Sequence, residues 1–195
     1  MRIAFFNTKG GTGKTTLAFN VAKDLDMPLI TNDGSVLKKV YPNKVKIVKE
    51  LKVYNDNKVD IIYDLGNCLF PDTTNVLKYS HLVVVPTTLD IDALDKTINA
   101  VHKIEGYCEK IIIVVNRTES QTISKSNYTQ AIALLKKLGK ELFILRKSEL
   151  MPNSMFQGQT ILEQASVNPL LRSRTKDFVM EYQNILYRIR KEAQL

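Results

Sequence analysis

The sequence predicts an α/β three-layer sandwich, a mostly parallel twisted sheet with helices on both faces. Three observations carry that expectation. Short apolar runs recur along the chain at Ile3–Phe6, Pro28–Ile30, Val59–Tyr63, Leu82–Val85, Ile111–Val115 and Leu142–Leu145. They lack strict apolar–polar alternation, which is the pattern of strands buried on both faces of a parallel sheet. Between most of them lie stretches whose apolar residues recur at helical spacing.

Taken in order, the first run leads into Asn7-Thr-Lys-Gly-Gly-Thr-Gly-Lys-Thr-Thr16, after which Leu17, Ala18, Val21, Ala22 and Leu25 form the first helical stripe. Glycines let successive backbone N–H groups turn inward around phosphate oxygens, and the positive end of the following helix reinforces them. A strand-to-helix turn ending Gly13-Lys14-Thr15 fits a nucleotide-binding P-loop. Lys14 would reach the β- and γ-phosphates, and the Thr15 hydroxyl would bind Mg²⁺. The second run ends at Thr31-Asn32-Asp33-Gly34-Ser35, where Asp33-Gly34 alone would suit a turn. No element is assigned to the lysine-rich, weakly periodic stretch Gly34–Lys58. The third run closes on Asp64, and an acidic residue ending a hydrophobic strand behind a P-loop is placed to hold Mg²⁺ through water. The backbone N–H of Gly66 follows where a γ-phosphate could be approached.

After the fourth run come Leu94, Ile98, Val101 and Ile104 at helical spacing. The fifth ends at Asn116-Arg117-Thr118-Glu119 and precedes the stripe Tyr128, Ala131, Ile132, Leu135 and Leu138. A final helix over Arg174–Lys191 shows Phe178, Tyr182, Ile185, Leu186 and Ile189 on one face, expected to pack on the domain rather than on a membrane.

The 195 residues suit one domain, spanning 1–195. With 44% apolar and 25% charged residues the composition is that of a globular protein, which argues against disorder. No apolar run approaches the ~20 residues of a membrane span, and Met1-Arg-Ile-Ala-Phe-Phe is too short for a signal peptide. A cytoplasmic location is expected, with the N-x-T triplets at Asn116 and Asn127 arising by chance. Cys68 and Cys108 are expected to be free buried thiols. His81 and His102 have no partners at metal-ligand spacing, and no Ser/His/Asp or Cys/His constellation is visible. The net charge of +8 points to an anionic partner. It is uneven: residues 36–58 hold seven lysines against Glu50 and Asp56, and 59–119 is acidic. The C-terminal region gathers Arg172, Arg174, Lys176, Arg188, Arg190 and Lys191.

Lys9-Gly-Gly-Thr-Gly-Lys-Thr-Thr16 resembles the deviant Walker A motif of the ParA/MinD family, ATPases of the SIMIBI-like group of P-loop NTPases. The resemblance extends over Asp33, Asp64, the strand Leu82–Pro86 with Thr87-Thr88-Leu89, Asn116, and Gly158-Gln-Thr-Ile-Leu-Glu163. It implies ATP and Mg²⁺ as ligands, with Lys9, Gly10, Gly11, Thr12, Gly13, Lys14, Thr15 and Thr16 around the phosphates. Thr15 and Asp64 would serve the metal. Lys9 would cross to the nucleotide of a second copy, making ATP the centre of a homodimer. Asp33 matches the residue that orients the attacking water, although Thr31 and Gly34-Ser35 depart from the family's D-x-D-P-Q-like segment. Asn116 would contact adenine. Arg117 and Glu119 stand where a guanine code carries Lys and Asp, which favours ATP and leaves GTP open. Cys68, four residues after Asp64, is also reminiscent of iron–sulfur reductases of the superfamily, but Cys108 precedes a different strand.

Three outcomes follow from the resemblance. ParA-like ATPases bind DNA without sequence preference as ATP dimers, associate with the nucleoid and answer to a ParB-like centromere-binding partner. MinD-like ATPases use a short C-terminal amphipathic segment on membranes, and metabolic relatives such as dethiobiotin synthetases act on small molecules. Here Tyr187–Leu195 continues a helix already needed for packing, and the first strand begins at residue 2, leaving no room for a DNA-reading domain before it. The expectation is therefore a short ParA-like partition ATPase whose six C-terminal basic residues contact DNA.

Overall fold

The computed structural model describes residues 1–32, 36–53, 59–118 and 125–193. Its strands are β1 (Arg2–Phe5), β2 (Leu29–Thr31), β3 (Val45–Ile47), β4 (Ile61–Asp64), β5 (Leu82–Thr87), β6 (Ile111–Thr118) and β7 (Glu141–Arg146). They form one seven-stranded sheet in the order β3-β2-β4-β1-β5-β6-β7, every described pair parallel. The six apolar runs are all strands. The seventh, β3, lies in the lysine-rich stretch left without an element. It is three residues long, forms the sheet edge and exposes Lys46 and Ile47, so no apolar pattern marks it.

Strand residues alternate between the two faces, and β1 displays both. Ile3 and Phe5 join the core beneath α1 (Lys14–Asp24), α6 (Leu150–Gln157), α7 (Ile161–Val167) and α9 (Lys176–Ala193), with short α2 (Leu37–Val40) at its margin. Ala4 and Phe6 join the opposite core under α3 (Pro71–Lys78), α4 (Ile91–Glu105) and α5 (Lys125–Lys136). Helix α3 opens with Pro71, whose missing N–H costs nothing there, and Asp72 suits the positive end of the helix. Only Val76 and Leu77 anchor it among its apolar residues, too few to show a helical period.

The final helix buries all five of its expected apolar residues. Its direction is fixed by ion pairs. Arg146 at the end of β7 binds Asp177 and Glu181 (2.8 and 2.9 Å), while Glu141 at the start of β7 takes Arg188 (2.7 Å). Helix α9 thus runs antiparallel to the strands and begins where they end. Short α8 (Pro169–Arg174), capped by Asn168, lies at that same end. Cys108 is buried as expected, but Cys68 is exposed, because it sits in the β4–α3 connection running over the surface. Among the described residues, no helix is long and apolar enough to cross a membrane.

Candidate nucleotide-binding site

The glycine-rich loop leaves the carboxyl end of the central strand, where open α/β sheets bind ligands. Gly11 (φ +77°) and Gly13 (φ +89°) adopt left-handed conformations there, and Gly13 forms the cap of α1. An ideal Cβ on Gly13 would stand 2.3 Å from Asn116 Nδ2, so any side chain there has to displace the Asn116 amide. Asn116 Nδ2 in turn donates to the Thr12 carbonyl (3.1 Å).

Buried Asn7 ties the start of the loop to its neighbours. Its Nδ2 donates to the Pro86 carbonyl (2.9 Å) and to Thr97 Oγ1 (2.8 Å), and its Oδ1 accepts the Lys9 N–H (3.0 Å). Thr97 donates onward to Thr87 Oγ1 (2.7 Å). Lys14 is buried, and its ammonium donates to the Lys9 carbonyl (3.2 Å) and to Asn67 Oδ1 (2.5 Å). Lys9 extends to Asp92 on the first turn of α4 (2.7 Å), which also holds Lys96 (3.1 Å). The Asp92 hydrogen bond and charge hold the Lys9 ammonium above its usual pKa.

Parallel pairing sets Asp64 beside both Phe5 and Thr31. The fully buried Asp64 therefore ends one strand over from the loop, and its Oδ2 accepts the Thr31 hydroxyl (3.1 Å). Thr31 stands where the resembling family carries its first Asp, and here it supplies a donor to the Asp64 carboxylate. Next to it, Asn32 Oδ1 accepts the Gly66 N–H (2.7 Å). Asp33, Gly34, Ser35 and Glu119 lie outside the described residues.

A cavity of about 330 Å³ opens beside the loop, lined by Gly13, Thr16, Asn116, Arg117, Lys147 and Met151 among others. That volume falls in the range of small-molecule pockets. Arg117 at its wall has φ +57°, uncommon for a residue with a side chain, and its N–H is held by Asn116 Oδ1 (2.9 Å).

Mg²⁺ takes oxygen ligands, keeps several waters and needs only one or two carboxylates when a nucleotide supplies phosphates. The groups here are of that kind: the Asp64 carboxylate, Thr15 in the first turn of α1, and a buried Thr12 hydroxyl with no hydrogen-bond partner among the described residues. No cluster of three or more His, Cys, Asp or Glu that could hold a metal ion occurs among the described residues. The residues present fit a metal carried in with phosphate, not one held by protein alone.

The six basic residues expected to contact DNA are spread along α8 and α9 rather than clustered. Arg172, Arg174 and Lys176 are exposed at the nucleotide end of the sheet. Arg190 and Lys191 are exposed near the other end of α9, about 21 Å along the helix from Lys176 at ~1.5 Å per residue. Arg188 is 17% exposed and bound to Glu141 and Glu192 (both 2.7 Å), so it holds α9 to β7 and α9 to itself rather than facing outward. The sequence pattern also gave no hint of Asn7, Asn32, Asn67, Asp92 or Thr97. Asn7 at least borders the motif.

The sequence profile of the CobQ/CobB/MinD/ParA nucleotide binding domain matches residues 3–161. A comparison with curated proteins returns no match. Among solved structures, the chain resembles a protein described as a plasmid partition protein of Borrelia burgdorferi B31, bound to AMPPNP. Identity is 17%, 98% of each chain is covered and the TM-score is 0.69. McdA of Cyanothece is similar at 15% identity over 93% of this chain and 96% of that one (TM-score 0.69). MinD of Pyrococcus horikoshii OT3, complexed with Mg-ADP, follows at 14% identity over 94% and 95% (TM-score 0.63). Profile, glycine-rich loop and sheet order agree: the chain belongs to the CobQ/CobB/MinD/ParA nucleotide-binding domain family.

Proposed function

We propose that this chain is a ParA-like DNA segregation ATPase, with 1–195 acting as one P-loop domain. The observation that carries the reading beyond nucleotide binding is the exposed trio Arg172, Arg174 and Lys176 at the same end of the sheet as the glycine-rich loop. A dimer built around two nucleotides brings two such ends together and presents both trios to one DNA segment. Doubling the contacts in a rigid unit raises affinity steeply, which makes DNA binding follow the nucleotide state. The likeness to a plasmid partition protein bound to AMPPNP supports the same reading.

In this scheme Lys14 and the loop N–H groups take the phosphates, and Asn116 lies against the base. Thr15 and Asp64 would hold Mg²⁺, which would offset phosphate charge. Lys9 leaves Asp92 to reach the nucleotide of the second copy and stabilises charge developing between the β- and γ-phosphates. Asp33 orients the attacking water. Hydrolysis is slow until a ParB-like partner stimulates it, then separates the subunits and releases the nucleoid DNA. The deciding experiment is DNA retention with ATP, ADP or no nucleotide, with sedimentation alongside. Retention and dimerisation with ATP alone are expected. Equal retention in all three conditions would overturn the switch, and ATP-dependent vesicle flotation would assign the chain to the MinD-like class.

A further inference from the structure

Two donors that a nucleoside triphosphate needs are already engaged by side chains of this chain. The Lys14 ammonium gives a hydrogen to Asn67 Oδ1 (2.5 Å), and the Gly66 N–H gives one to Asn32 Oδ1 (2.7 Å). Asn67 also lies against the loop itself: its Nδ2 is 3.4 Å from where a Cβ on Gly10 would stand. Its amide therefore bridges the mouth of the loop between Gly10 and Lys14. Asn32 directly follows β2, with its amide against Gly66.

Both acceptors are neutral amide oxygens. A phosphate oxygen is charged and accepts more strongly from the same donors. The two asparagines are thus displaceable stand-ins, strong enough to hold the donors and weak enough to yield. They also sit on different phosphates' ground: Lys14 serves the β- and γ-phosphates, whereas Gly66 follows the Asp64 strand end on the γ side.

We propose that Asn67 and Asn32 are specificity-determining residues that compete with nucleotide for these donors. Asn67 sets overall nucleotide affinity, and Asn32 sets discrimination between triphosphate and diphosphate. A γ-phosphate that takes the Gly66 N–H releases Asn32. The inference rests on the nucleotide-binding reading above.

The test is calorimetric titration of the full chain with Mg·ADP and Mg·AMPPNP. Asn67→Ala should tighten both nucleotides by a similar factor, about three- to tenfold for loss of one competing hydrogen bond. Asn32→Ala should tighten AMPPNP by a comparable factor and leave ADP unchanged. Asn32→Asp, nearly isosteric, keeps the acceptor and adds a charge facing the γ-phosphate, so it should weaken AMPPNP selectively. Opposite signs for two substitutions at one position are not the signature of a merely structural residue. Weakening of both nucleotides by both alanine variants, or an unchanged AMPPNP/ADP ratio in both Asn32 variants, overturns the competition. Failure of the unaltered chain to bind either nucleotide would instead sink the nucleotide-binding reading.

Discussion

Gly13 shows how much the site depends on a missing side chain. Its backbone is left-handed, and its missing Cβ leaves the space that Asn116 fills. Gly13→Ala should cost about 1–2 kcal/mol from the backbone alone, before Asn116 is pushed from the Thr12 carbonyl. Urea unfolding would report that loss, and nucleotide titration should show binding abolished; a variant of full stability and affinity would mean the loop can relax around a methyl group. The placement of the motif's residues was legible because local chemistry dictates it: Gly11 and Gly13 for positive φ, Lys14 and Thr15 opening the helix that follows the loop, Asp64 at a strand end. Asn67 was not legible. It meets Lys14 across a separation of 53 residues, and only the pairing of β1 with β4 brings their loops together. Asn7 was hidden for a related reason, since its partners Pro86 and Thr97 lie on β5 and α4.

At the level of elements, strands and long helices announced themselves through burial, and the short pieces did not. Helices α7 and α8 owe their position to caps and side-chain bonds more than to apolar period. Thr160 and Glu163 form a capping box at the start of α7, so the Gly158–Glu163 stretch has a structural role. Glu163 further binds Lys23 of α1 (2.7 Å). Burial alone would raise the Glu163 carboxyl, but Lys23 and the Thr160 N–H outweigh it and hold the group below its ordinary value of 4.5. A carboxyl depressed on folding stabilises the protein above its unfolded pKa, and the contribution fades as pH falls through the lower, folded value. Glu163→Gln should therefore lose about 1 kcal/mol or less at pH 6–7, given the partly exposed pair. The difference from the parent should vanish below the folded pKa in urea unfolding at stepped pH; a difference that persists there would mean that packing, not charge, holds α7. Nearby Asp24 is shifted the other way, raised chiefly by burial, so its contribution declines as pH rises above 3.8. The Glu163 charge adds to that shift, so Glu163→Gln relieves part of it, and the stepped-pH comparison reads the two groups together.

Across the whole molecule, the charge is distributed by task. Single substitutions to alanine at Arg172, Arg174 or Lys176 should weaken ATP-dependent DNA retention at every sequence. Each should flatten the plot of log affinity against log salt by about 1–2, because a dimer loses two contacts at ~0.9 per phosphate. Arg188→Ala should leave that slope alone and lower the unfolding midpoint, having lost Glu141 and Glu192. A flattened slope for Arg188→Ala would return it to the DNA surface. Position in the chain could not separate these arginines, since all lie on or beside one helix; only the direction of α9 against β7 assigns them to different ends.

The lysine-rich edge bears on how such an experiment is run. Strand β3 is the edge of the sheet among the described residues, and Lys46 within it, with Lys49 just beyond, is exposed. Like charge keeps two such margins from zipping together, but only while its field reaches, and that reach shrinks from about 10 Å at 0.1 M salt to 3 Å at 1 M. Salt that strips DNA from the arginines would therefore also lower the barrier to colloidal self-association. Light scattering should rise toward 1 M salt, and Lys46→Glu, which breaks the run of like charge, should bring the onset to lower salt. Retention measured at the top of a salt series would then report clustering of the protein as well as release of DNA.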